Sequence, residues 1–91
     1  ELYNGKTASM KHLGVLLSEN KSSQAYELLN KYGNIYFDSS ELKYYWGMYY
    51  TFLRKPQKAK NFFFDAIEIE PNLLEAKYNY AYILQTENNF K

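Results

Sequence analysis

Cysteine is absent from the 91-residue chain, which excludes a disulfide framework, a thiolate metal site and a thiol nucleophile. That absence fits both a cytoplasmic and an exported location, so compartment stays open. Glycine and proline are scarce, at 4 and 2 residues. A surplus of charge is missing too: 11 basic against 10 acidic residues leave a net charge of +1, with no electrostatic reason to expect nucleic acid or an anionic membrane. No apolar run approaches the roughly 20 residues of a membrane span, and no basic-then-apolar leader follows Glu1. The abundant class is aromatic. There are 11 Tyr, 6 Phe and 1 Trp within a hydrophobic content of 46%, enough to build a core and to argue against disorder. The length sets one small domain as the ceiling.

Apolar spacing is helical throughout. Leu42, Trp46, Tyr49, Tyr50 and Leu53 fall on one helical face, as intervals of three and four require. Ala59, Phe63, Ala66 and Ile67 repeat the pattern, as do Ala76, Tyr80, Ile83 and Leu84, and Leu13, Leu16 and Leu17. Polar breaks separate these runs. Ser22 or Ser23 can cap one helix, and Asp38-Ser39-Ser40 another. Pro56 suits a first helical turn, and Pro71-Asn72 separates two helices. The reading is five helices, over about 7–19, 23–36, 40–54, 57–70 and 73–87. Short connections make neighbours antiparallel.

The chain also repeats itself. A shift of 34 residues places Glu41 on Glu75, Lys43 on Lys77, Tyr44 on Tyr78, Gly47 on Ala81 and Tyr50 on Leu84. The same shift places Ala25 on Ala59 and Leu29 on Phe63. The first helix matches better at 33, with Gly14 on Gly47 and Leu17 on Tyr50; a one-residue deletion in the following loop is the expected reason. Trp46-Gly47-x-x-Tyr50, then Ala59-x-x-x-Phe63, Ala66 and Pro71, resembles the tetratricopeptide repeat, a 34-residue helix–turn–helix unit. Lys43 departs from the pattern, standing where the family often has Trp.

The resemblance implies one all-α domain over residues 1–91. Repeat 1 would cover about 7–39, repeat 2 about 40–73 and a partial third repeat about 74–91, a piece of a longer array. Phe37 stands where the first repeat would have its proline, and Phe90 where the family often has an aromatic. The fold implied is an antiparallel stack forming a right-handed α-solenoid. Physically, Gly14, Gly47 and Ala81 are expected to be small where a helix crosses closely, with Leu17, Tyr50, Leu84, Leu29 and Phe63 filling the space alongside.

Candidate chemistry is sparse. Asn4-Gly5-Lys6-Thr7 has the end of a phosphate-binding loop but neither its first glycine nor a preceding strand, so a turn is the simpler reading. His12 is the only histidine and has no second ligand to share a metal with. Asn20-Lys21-Ser22 is a formal glycosylation triplet of a kind that occurs by chance. Glu68 and Glu70 lie two apart on a helix and do not face each other. The chain therefore reads as non-catalytic, with no cofactor and no metal.

The aromatics carry the functional expectation. At about 100° per residue, Trp46, Tyr50, Phe63 and Tyr80 turn to the core, while Tyr44, Tyr78 and Tyr82 turn away. In the resembled family the first helix of each repeat lines a concave surface. That implies a groove of Lys11, Val15, Glu41, Tyr44, Met48, Thr51, Glu75, Tyr78, Tyr82 and Gln85 for a peptide or helix of a partner protein. The alternative is cover by a further C-terminal helix or another domain. Chaperone-tail binding is argued against, because of the family's five clamp positions only Lys11 matches, with Val15, Tyr45, Glu75 and Asn79 at the others. Phe64 should lie on the outer side, where a lone exposed Phe is ordinary; the alternative is a contact with a further domain or another copy of the chain. Structural self-association end to end, and an accessory array within a larger enzyme or assembly, are the competing functions.

Overall fold

The computed structural model describes residues 12–35 and 39–89. The Asn4–Thr7 turn, Lys11, Phe37, Asp38, Phe90 and the expected start of the first helix lie outside the described residues. Among the described residues the fold is all-α, with five helices and no strand. Helix α1 is described over 12–18, followed by α2 (Ser22–Ile35), α3 (Ser40–Phe52), α4 (Pro56–Ile69) and α5 (Leu74–Asn89). Helix α3 packs on both α2 and α4, and α4 packs on α5. The short turns between successive helices make these neighbours antiparallel.

Each helix end has a local cause. Ser39 caps α3, its hydroxyl accepting from the Leu42 N–H at 3.3 Å, which satisfies one orphan donor. Pro56 opens α4, where its missing N–H breaks no helical bond. Helix α2 begins one residue before the expected point: Ser22 is already helical, and the Lys21 carbonyl accepts from Ala25 at 3.0 Å. Helix α3 stops two residues short of the expected end because Arg54 turns left-handed, with φ 62°.

That turn has a twin. Asn20 after α1 has φ 61°. Asn20 N–H donates to Leu17 O at 3.1 Å and Lys21 N–H to Leu16 O at 2.9 Å; Arg54 N–H donates to Thr51 O at 3.0 Å and Lys55 N–H to Tyr50 O at 2.9 Å. Both are Schellman caps, in which a left-handed residue turns the chain back onto the last carbonyls. Lys21 O then accepts from Ala25, and Lys55 O from Ala59. Every one of these partners lies 34 residues from its counterpart. The shift of 33 and the loop deletion inferred from sequence are thus corrected: the backbone keeps one period through the first turn, pairing Leu16 with Tyr50 and Gly14 with Met48.

Two core clusters follow that period. Leu13, Leu16, Leu17, Ala25, Leu29, Leu42 and Tyr49 form one; Ala59, Phe63, Ala66, Ala76 and Ile83 form the other. Met48 and Tyr50 pack against both, so α3 is shared between modules, as stacked repeats require. Gly47 is the tightest of the described glycines: a Cβ there would lie 2.6–2.8 Å from the Phe63 ring. Gly14 is not equivalent, since a Cβ there would meet Tyr45 at an ordinary 3.8 Å. Leu84 and Ala81, expected in the core, are exposed instead, because among the described residues no helix covers that side of α5.

Phe62, Trp46 and Tyr50 form a stack between α3 and α4. Phe62 lies 5.6 Å from each of the other two rings, at 18° to Trp46 and 8° to Tyr50. Lys58 Nζ sits 5.4 Å over Tyr50 and Lys43 Nζ 5.9 Å over Phe62, placing cations on the electron-rich faces. Between α4 and α5, Lys60 Nζ meets the Glu87 carboxylate at 3.1 Å and Gln57 donates to the same group. Ser40 donates to Glu70 Oε1 at 2.5 Å, tying the start of α3 to the end of α4.

Candidate functional site

A hollow lies between α3 and α5. Its volume is about 710 Å³, and Thr51, Arg54, Pro56, Asn79, Tyr82, Ile83 and Thr86 line it. Both walls come from helical spacing. On α5, Glu75, Asn79, Tyr82 and Thr86 follow intervals of four, three and four, which align them along one edge. Thr51 in the last turn of α3, Arg54 just after it and Pro56 at the start of α4 form the opposite wall. Ile83 is buried at the floor, whereas Tyr82 is 64% exposed above it. The wall hydroxyls are held from below: Thr51 Oγ1 donates to Gly47 O at 2.8 Å and Thr86 Oγ1 to Tyr82 O at 2.9 Å. Asn79 Nδ2 donates to Glu75 O at 2.7 Å, which leaves its side-chain oxygen free to accept.

Acidic groups mark one end of this strip and Arg54 the other. Glu41 and Glu75 stand in the first turns of α3 and α5, where the helix dipole favours a negative charge. Burial pushes the Tyr44 hydroxyl above its ordinary pKa, with the charges of Tyr45 and Glu75 adding to the effect. Tyr45 is raised in the same direction by burial, then by Glu41 and Glu75. Glu75 thus reaches electrostatically from α5 to both tyrosines of α3. Arg54 is exposed, and its guanidinium makes no hydrogen bond or ion pair among the described residues.

The expected groove residues divide. Thr51 and Tyr82 line the cleft, whereas Glu41 and Glu75 stand outside its lining in the first turns of α3 and α5. Tyr44 and Met48 do not turn away from the core. Tyr44 is half-buried, 5.8 Å from Phe63 and 5.3 Å from Tyr45, and Met48 is packed between the clusters. Val15 is half exposed on α1, remote in sequence from the cleft lining. Tyr78, 77% exposed, and Gln85, also exposed, are outside the cleft lining; the counterpart of Tyr78 on α3 is Tyr44, which packs on Phe63 of α4. Phe64 is half exposed, with its ring 5.9 Å from Tyr80. Lys11 lies outside the described residues.

Arg54, Pro56, Asn79, Ile83 and Thr86 were not expected at the site. Asn79 and Thr86 follow from Tyr82 by helical spacing. Arg54 has one sequence signal, being the single arginine of the chain. A second hollow of about 340 Å³ between α1 and α2 is lined by His12, Leu16, Gln24, Glu27, Leu28 and Lys31. Among the described residues no three His, Cys, Asp or Glu side chains come together to hold a metal, and no helix is long and apolar enough to cross a membrane. No family model matches the chain, and no curated protein or solved structure is significantly similar to it.

Proposed function

We propose that the chain is a stretch of tetratricopeptide-like array serving as a non-catalytic protein–protein interaction module, with the cleft between α3 and α5 receiving a peptide or helix of a partner. The observation that carries this reading is the 710 Å³ cleft, with a buried Ile83 floor and an exposed Tyr82 wall. A hollow of this size with an apolar base and a few polar rim groups is the form of a recognition site. Tyr82 offers a large contact area with few rotatable bonds, so ordering it on binding costs little.

The test is selection from a displayed peptide library on the folded chain, followed by measurement of the selected peptides against Tyr82→Ala and Thr51→Glu variants. These positions are exposed, so helix content should be unchanged. Affinity is expected to fall at least ~10-fold, equal to about 1.4 kcal/mol. Undiminished binding by both variants would sink the assignment. Tyr44 is a poor choice for this purpose, because its ring packs on Phe63 and its loss would loosen the core.

Self-association is the second reading. It is favoured by α5, which presents Leu74 and Tyr78 at 72% and 77% exposure on its outer side. Large apolar side chains exposed together are characteristic of docking surfaces.

A further inference from the structure

The cleft has a direction. Beyond one end of its lining, one helical turn before Asn79, Glu75 stands in the first turn of α5, and its charge bears on Tyr44 and Tyr45. At the other end Arg54 follows the last turn of α3 and lines the cleft. Between them lie Tyr82 and Ile83. From Glu75 to Thr86 the helix rises about 16 Å, the reach of about five extended residues.

Arg54 is unusual in its place. A left-handed conformation costs a non-glycine residue about 1–2 kcal/mol, and asparagine tolerates it better than arginine does. The chain itself supplies the comparison: Asn20 occupies the equivalent turn with the same hydrogen bonds. The guanidinium at position 54 makes no ion pair among the described residues. It therefore presents an uncompensated positive charge, with bidentate geometry, at the mouth of an apolar hollow.

Resting on the peptide-binding reading above, we infer that the cleft selects an extended segment of about five residues with an acidic side chain at the Arg54 end, apolar side chains over Tyr82 and Ile83, and a basic side chain at the Glu75 end. Complementary charge at the two ends fixes the orientation of the segment, while the apolar middle supplies most of the contact.

The experiment uses four synthetic pentapeptides with blocked termini and one shared apolar centre. They carry an acid and a base at opposite ends, two acids, two bases, or neutral amides. Fluorescence anisotropy is measured against the wild-type chain, Arg54→Asn and Glu75→Gln. The acid–base peptide should bind wild type about five-fold more tightly than the neutral one, the size of exposed ion pairs. Arg54→Asn should remove the acidic end's share of that advantage from the acid–base and diacidic peptides and spare the dibasic one; Glu75→Gln should remove the basic end's share from the acid–base and dibasic peptides and spare the diacidic one. Added salt should erase the differences. Because Asn20 already adopts the required turn, Arg54→Asn should fold at least as stably as wild type, so lost binding does not report unfolding. Equal binding of all four peptides would overturn the directional inference and leave the cleft reading standing. Binding of none would overturn both.

Discussion

Gly33 and Gly47 both lie inside helices, neither has a positive φ, and they differ in what surrounds them. Around Gly33 nothing lies within 4 Å of an added Cβ; at Gly47 the Phe63 ring is 2.6 Å away. Alanine gains up to about 1 kcal/mol over glycine in a helix interior. Gly33→Ala should therefore stabilise the fold by about 0.5–1 kcal/mol. At Gly47 the same gain is outweighed, because Phe63 is fully buried and displacing a packed ring costs about 1–3 kcal/mol. Gly47→Ala should destabilise by about 1–2 kcal/mol. Urea unfolding followed by helix ellipticity reads both signs, and a stabilised Gly47→Ala would show that Phe63 yields freely. The Gly47 contact was legible in sequence because Gly47, Ala59 and Phe63 recur at fixed spacing. Gly14 was misleading, since a helical glycine looks the same whether or not a neighbour presses on it. Arg54 was hidden for the opposite reason. A left-handed helix cap advertises itself when it is Gly or Asn, and arginine there disguised the second of two identical turns.

Helix α3 is the central element, and its position explains where helical-wheel reasoning ran out. The wheel assigns one buried side and one free side to each helix. Helix α3 has α2 on one flank and α4 on another, so Tyr44, placed opposite the first core, falls into the second. The five helices and most of their ends were legible from apolar period, Ser39 and Pro56; the number of neighbours around each helix is a tertiary fact that no single period carries. The crowding has a titration consequence. Tyr44, Tyr45 and Tyr49 all have pKa values raised above 10.0, first of all by burial. In the unfolded chain they ionise near their ordinary value, so above about pH 10 the unfolded state has released protons that the folded state still holds. Stability contributed by these groups is fully present below about pH 10 and is lost as pH rises through the raised folded values. The urea midpoint should stay level from about pH 7 to pH 9 and fall beyond about pH 10. A Tyr44→Phe, Tyr45→Phe, Tyr49→Phe chain should lose less over the same interval; an equal loss would assign the alkaline transition to other groups.

At the scale of the whole molecule, the 34-residue period determines which surface is left open. Leu74, Tyr78, Ala81 and Leu84 on α5 correspond to Ser40, Tyr44, Gly47 and Tyr50 on α3, the face that receives Phe63 from α4. On α5 that face carries Leu74, Tyr78 and Leu84 at 72%, 77% and 37% exposure. Full burial of such side chains is worth about 1.5–3 kcal/mol each, so three of them supply at most roughly 4.5–9 kcal/mol. Association itself costs an estimated 4–15 kcal/mol before any gain appears. The balance predicts self-association that is weak, with a Kd no tighter than about 0.1 mM. Sedimentation should show a monomer at micromolar concentration and a rising mass near millimolar. Leu74→Glu with Tyr78→Glu should hold the chain monomeric, whereas Tyr82→Ala, on the cleft side, should leave the mass profile unchanged. The two surfaces are thus separable by mutation. A dimer persisting at micromolar concentration, insensitive to the charges placed on α5, would mean that copies join through some other face.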